Sequence, residues 1–148
     1  MSVWNVNQWH WEERPQTQWA KERIPELLAE LEFPFEDGSI KVPKVDKIEG
    51  DAVINVRKGK RILVFELNIS ASWEGKVGQI LDRKTGSGKI SLPYVCEDVD
   101  DRNFRIEITA DNANEETVRM KEVVVANKDK IVDKIKQWVT ELENRQLQ

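Results

Sequence analysis

Histidine and cysteine each occur once, as His10 and Cys96. A metal site of the usual kinds needs three or four His, Cys or carboxylate ligands at close spacing, which these two cannot supply. A lone cysteine excludes an intramolecular disulfide and fits a reducing compartment; its place in an alternating pattern reads as a small core residue. No nucleophile elbow or Cys-protease signature surrounds either residue. Long apolar runs are also missing: none approaches the roughly 20 residues of a membrane span, and the N-terminus has neither the basic nor the apolar region of an export signal. The chain therefore reads as soluble, unexported and cytoplasmic. Gly86-Ser87-Gly88-Lys89 lacks the first glycine of a phosphate loop and a following helix, so it reads as a loop between strands. The carboxylates sit among lysines on helix faces, and no glycosidase-like pair stands out. The expectation is a protein without enzymatic activity, cofactor or metal.

What is present is charge, 34% of 148 residues with a formal net charge of -4. This length suits one domain with its own core. The net charge repels nucleic acid and anionic membranes. Against that background Arg57-Lys58-Gly59-Lys60-Arg61 places four cations around one glycine, between Asn55-Val56 and Ile62-Leu63-Val64-Phe65. Gly59 suits the positive φ of a tight hairpin turn, which puts the cations at a projecting tip. No acidic residue offsets their mutual repulsion, so a carboxylate- or phosphate-rich partner would; a solubilising turn that guards a sheet edge is the structural alternative.

Residues 1–14 hold Trp4, Trp9 and Trp11 without any period and read as a tryptophan-rich arm. From Pro15 to residue 32, Ala20, Ile24, Leu27, Leu28 and Leu31 recur at helical spacing, with Pro25 expected to kink or divide the helix. Phe33 to Gly38 reads as a connector. Between residues 42 and 110 the period becomes two, in four strands marked by Ala52, Ile54 and Val56, by Leu63 to Trp73, by Ile90, Leu92, Tyr94 and Cys96, and by Phe104, Ile106 and Ile108. Short connectors favour an antiparallel meander. Residues 115–144 return to helix, with Val123-Val124-Val125 and Asn127 marking a place for a break. The predicted fold is α+β: a four-stranded antiparallel meander flanked by an N-terminal helix and a long C-terminal helix.

Trp9 and Trp11 have two readings, as cover for an exposed end of the core or, with His10 and the amides Asn5, Asn7 and Gln8, as a contact patch. Taken in order, Asn5-Val6-Asn7-Gln8-Trp9-His10-Trp11, Trp19-Ala20-Lys21-Glu22, Ile48-Glu49-Gly50-Asp51 and Asn55-Val56-Arg57-Lys58-Gly59-Lys60 resemble the N-terminal domain of the activators of the heat-shock protein 90 ATPase. Each motif alone is weak; their joint order and spacing are specific. Gln8 stands where the family usually has a second asparagine, and Pro25 departs from the expected helix.

The resemblance implies a co-chaperone, not an enzyme, that docks on the middle segment of the chaperone and remodels the loop carrying a catalytic arginine. It carries Arg57, Lys58, Gly59 and Lys60 onto the loop that engages the chaperone, Asp51 onto the same contact, and Asn5 to Trp11, including Asn7, Trp9 and His10, onto modulation of nucleotide handling at its N-terminal domains. It also implies a monomer in a short, single-domain form or an excised N-terminal domain. The rival class is an anion-binding module for nucleic acid or phospholipid, using Arg57, Lys58, Lys60, Arg61, Arg83, Lys84 and Lys89. The net charge and the lack of interleaved aromatics oppose it.

Overall fold

The computed structural model describes residues 12–78, 81–97 and 105–146. Its spine is a long antiparallel hairpin of β3 (Gly38–Arg57) and β4 (Lys60–Val77), paired from Ser39↔Lys76 to Arg57↔Lys60 with two register shifts between Lys41 and Lys47. Along β4 the side chains of Phe65, Leu67, Ile69, Ala71 and Trp73 point inward and are buried, as the period of two requires. Strand β5 (Lys84–Cys96) pairs with the far side of β4, and β6 (Glu107–Ala110) with β5, so β3 to β6 form the expected meander.

Six strands are present among the described residues, not four. The two additional ones, β1 (Glu12–Pro15) and β2 (Glu32–Phe35), pair antiparallel with opposite ends of the outer side of β3, at Val53–Val56 and Gly38–Lys41. Residues 12–14, expected in the arm, and the Phe33–Phe35 part of the expected connector are therefore strand. Four residues are too few to display a period, and prolines 15 and 34 are tolerated because both strands are short edge strands. Phe33 and Phe35 are buried.

Between them runs α1 (Thr17–Leu28), shorter at both ends than the predicted 15–32. Its start is stitched to β3: the Gln16 N–H donates to the Ala52 carbonyl at 2.7 Å, and the Thr17 hydroxyl accepts from the Ala52 N–H at 3.0 Å. Pro25 does not divide the helix. It lies in the last turn, where it removes only one ladder bond, and the buried Ile24, Leu27 and Leu28 hold that turn on the sheet.

The C-terminal helical region is divided at Asn127 into α2 (Glu115–Ala126) and α3 (Lys128–Glu143). The Asn127 Nδ2 donates to the Val123 carbonyl at 2.7 Å and its N–H reaches the carbonyls of Val123 and Val124, closing α2, while Val123–Val125 themselves stay helical. Packing contacts put α1 against β3, α3 against β4, and α2 against β5 and β6. The helices thus cover one face of the sheet.

Two details of β5 depart from the alternation. An extra residue lies between the pairs Ile69↔Leu92 and Leu67↔Val95, and it reverses the phase of the strand end. Val95 is therefore buried, while Tyr94 is exposed and Cys96 only half-buried; neither is the core residue that the pattern predicts. Gly86 to Lys89 is strand interior, not a loop. A Cβ on Gly86 would lie 2.7 Å from the Met120 sulfur, so glycine there lets α2 approach the sheet closely.

Trp138 of α3 is fully buried at the centre of the helical layer, stacked on Trp19 of α1 at 6.1 Å and met edge-on by Phe65 of β4 at 5.1 Å. Beside it, Arg23 grips Glu141 with two bonds of 2.7 and 2.9 Å, tying α1 to α3. The Arg23 hydrogen bond holds the Glu141 carboxyl below its ordinary range against the opposing effect of burial, with a bond from Gln137 and the charge of Arg23 assisting. A depressed carboxylate contributes stability above its unfolded pKa, near 4.3, and loses it as pH falls through the lower folded value. The melting temperature of the wild-type chain is therefore expected to drop more between pH 6 and pH 3 than that of Glu141→Gln, by thermal circular dichroism; equal drops would show that the pair contributes nothing to stability.

Candidate functional site

The β3–β4 hairpin closes on two residues, Lys58 and Gly59, with φ of 52° and 76°. Two positive φ values in a two-residue loop define a type I′ turn, whose twist matches that of the flanking strands. No atom lies within 4 Å of where a Cβ on Gly59 would stand. Backbone conformation alone therefore selects glycine there. Lys58 and Lys60 are exposed and Arg57 is half-buried. Arg61 does not join them at the apex: its Nη1 donates to the carbonyls of Glu143 and Arg145, at 3.0 and 2.6 Å, at the C-terminal end of α3.

Asp51 lies on the same strand, about 20 Å from the tip at the usual rise per residue. It is exposed, directly opposite Glu66 of β4. Both line a shallow groove of about 450 Å³ on the helix-free face of the sheet, together with Val53, Val64, Asn68, Tyr94, Cys96 and Glu97. The Glu66 carboxylate, first, with Cys96 and Glu97 adding to it, holds the Tyr94 phenol above its ordinary range. The groove is acidic but not wholly polar. Val64 and Tyr94 are 43% and 53% exposed, and Ile62, nearer the tip, is 42% exposed. Sequence reading missed these three residues, though a signal existed for Ile62 and Val64: four consecutive apolar residues, Ile62 to Phe65, in a strand buried on one face leave two facing water.

Of the remaining predicted site residues, Asn5, Asn7, Trp9, His10 and Trp11 lie outside the described residues. Glu12, the first described residue, pairs with Val56 of β3. The seven cations of the anion-binding alternative do not form one surface. Lys84 pairs with Val77 at the end of β4 remote from Lys60 and reaches Glu116 at 3.5 Å. Lys89 donates to the Ser72 hydroxyl at 2.8 Å and to Asp46 at 3.2 Å. Asp46 in turn is held below the ordinary carboxylate range, chiefly by its bond from Ser72.

Because Gly59 is constrained by φ and not by space, Gly59→Ala is expected to destabilise the domain by about 1–2 kcal/mol and Gly59→Asn by less, since asparagine tolerates left-handed backbone. Urea melts of the two variants check this; equal losses would mean the turn is not held in the I′ form.

The family described as "Activator of Hsp90 ATPase, N-terminal" matches residues 13–146. The chain is 36% identical over 107 residues to "Activator of 90 kDa heat shock protein ATPase homolog 2" of Bos taurus, covering 69% of this chain and 39% of that protein. It is 36% identical over 120 residues to "Hsp90 co-chaperone AHA1" of Saccharomyces cerevisiae, covering 74% and 32%. The chain thus spans between about a third and two fifths of these curated relatives. Among solved structures, Aha-1 from Plasmodium falciparum superposes with a TM-score of 0.75 at 24% identity, over 88% of this chain and 86% of that one. The human Aha1 N-terminal domain superposes with 0.58 at 22%, over 90% and 100%. At these identities the two structures establish a shared fold; the family match over most of the length, with the relatives above 30% identity, establishes that the chain belongs to the Activator of Hsp90 ATPase, N-terminal family.

Proposed function

We propose that this chain is a monomeric cytoplasmic co-chaperone of N-terminal-domain type: it binds the middle segment of Hsp90 and stimulates the ATPase of that chaperone by remodelling its catalytic loop, with no catalysis of its own. The observation that carries the reading is the continuity of one surface. The exposed Lys58-Gly59-Lys60 turn, the apolar Ile62, Val64 and Tyr94, and the carboxylate of Asp51 follow one another along the same hairpin and its neighbour. An apolar centre flanked by charges of opposite sign is suited to a protein partner: the apolar part supplies burial, the cations and Asp51 set orientation and encounter rate. Docking accelerates hydrolysis only to the extent that the domain binds the hydrolysis-competent arrangement of the chaperone better than the resting one. The sequence resemblance assigns the catalytic-loop contact to Arg57, Lys58, Gly59 and Lys60, and the names of the relatives support the partner.

Lys58→Ala with Lys60→Ala is expected to weaken binding to the middle segment about tenfold or more while shifting stability by no more than about 0.5 kcal/mol, as exposed substitutions do. Asp51→Lys is expected to abolish stimulation through like-charge repulsion in a desolvated contact. Calorimetric titration, with ATPase turnover and thermal melts alongside, checks both; wild-type affinity in the double variant, or a folded and fully active Asp51→Lys protein, would contradict the assignment.

The segment from Asn5 to Trp11 is proposed to modulate nucleotide handling at the N-terminal domains of the chaperone. Alanine at Asn5, Asn7 and His10 together is expected to preserve melting temperature and middle-segment affinity while changing ATPase rate or nucleotide exchange. Unaltered turnover and exchange in that triple variant would leave the segment with a structural role alone.

A further inference from the structure

Arg61 is the fourth cation of the tip cluster by sequence, yet its guanidinium is committed elsewhere. One nitrogen, Nη1, uses two hydrogens on two carbonyls, Glu143 and Arg145, which lie 82 and 84 residues further along the chain. The first belongs to the last residue of α3 and the second lies two residues past it, where the helix dipole and its unpaired acceptors favour a cation. The acceptor is itself fixed. The Arg145 guanidinium lies over the Trp19 ring at 4.3 Å, and its Nε donates to the Gln16 Oε1 at 3.0 Å. Gln16 is buried and bonded through its N–H to Ala52 of β3, five residues from Arg57. A closed circuit results: from the base of the tip to the end of α3, through Arg145 to the start of α1, and back to the strand that leads into the tip.

We propose that Arg61 and Arg145 form a latch that fixes the orientation of the β3–β4 tip relative to the helical layer, so that Arg61 is a positioning residue for partner binding and not a contact residue. The binding role rests on the proposed Hsp90 function; the latch itself does not. Among the described residues β1 pairs with β3 as far as Val56, next to Arg57, and the turn follows. Arg61 stands at the boundary, opposite Val56. Its bonds to the α3 terminus restrain the point from which the turn projects. With the latch closed, the exposed lysines are presented from a defined position, and less ordering entropy remains to be lost on binding.

The test uses four forms of the full chain: wild type, Arg61→Gln, Arg145→Ala and the double variant. Amide hydrogen exchange of residues 57–61, followed by NMR on the isolated chain, reads the latch directly. Each single substitution is expected to speed exchange there about fivefold or more, and the double variant no more than the larger single effect, because both break one circuit. Unchanged exchange in either single variant, or independent and additive effects, would overturn the latch. Titration of the same four forms against intact Hsp90 reads the positioning role. Affinity is expected to fall several-fold in Arg61→Gln and Arg145→Ala alike, with the same non-additivity. Loss in Arg61→Gln alone would make Arg61 a direct contact and overturn the role. If the wild type does not bind Hsp90, the proposed function fails, and the exchange measurement still decides the latch.

Discussion

The antiparallel pairing of β3 with β4 is the constraint on which the rest of the structure depends. One ladder, running from Ser39↔Lys76 to Arg57↔Lys60, sets which side chains face the helices and which face water, and the same register fixes where the turn residues stand. A slip of one residue would move Phe65, Leu67, Ile69, Ala71 and Trp73 to the solvent face, so burial of that set locks the register strongly. The tip inherits its position from this lock.

The helical layer adds a second set of constraints at the other face. Trp138 joins α1 and β4 through aromatic contacts, and the Arg23–Glu141 pair spans 118 residues of sequence to hold α1 beside α3. The edge of β3 left between its pairings with β1 and β2 carries Pro43, Lys44, Lys47 and two register irregularities. Such features discourage the addition of a foreign strand. The helix-free face of the sheet, in contrast, leaves Ile62, Val64 and Tyr94 in water next to an acidic groove. Exposed apolar side chains grouped in this way, rimmed by charge, are characteristic of a surface that meets another protein.

Local chemistry determined much of this from the sequence alone. The alternation from Leu63 to Trp73 identified the central strand, the helical spacing of Ala20, Ile24, Leu27 and Leu28 identified α1, Asn127 marked the break between α2 and α3, and Gly59 marked the positive-φ turn. The order and spacing of short motifs pointed to the family. These features were legible because each depends on neighbours a few residues apart.

Only the tertiary structure decided what depends on distant partners. Strands β1 and β2 exist because β3 offers them an edge; four residues each carry no period of their own. Tyr94 and Cys96 face outward because one extra residue opposite Leu67–Ile69 reverses the phase of β5. Arg61 leaves the cation cluster because carbonyls at the C-terminal end of α3 lie within its reach, and Lys84 and Lys89 leave the anion-binding set because β4 is long and Asp46 lies beside Ser72. The side chains of Arg61, Lys84 and Lys89 each took a partner more than a dozen residues away in sequence. Composition and spacing encode which partners a residue can accept, but the distance to them is set by the folded backbone.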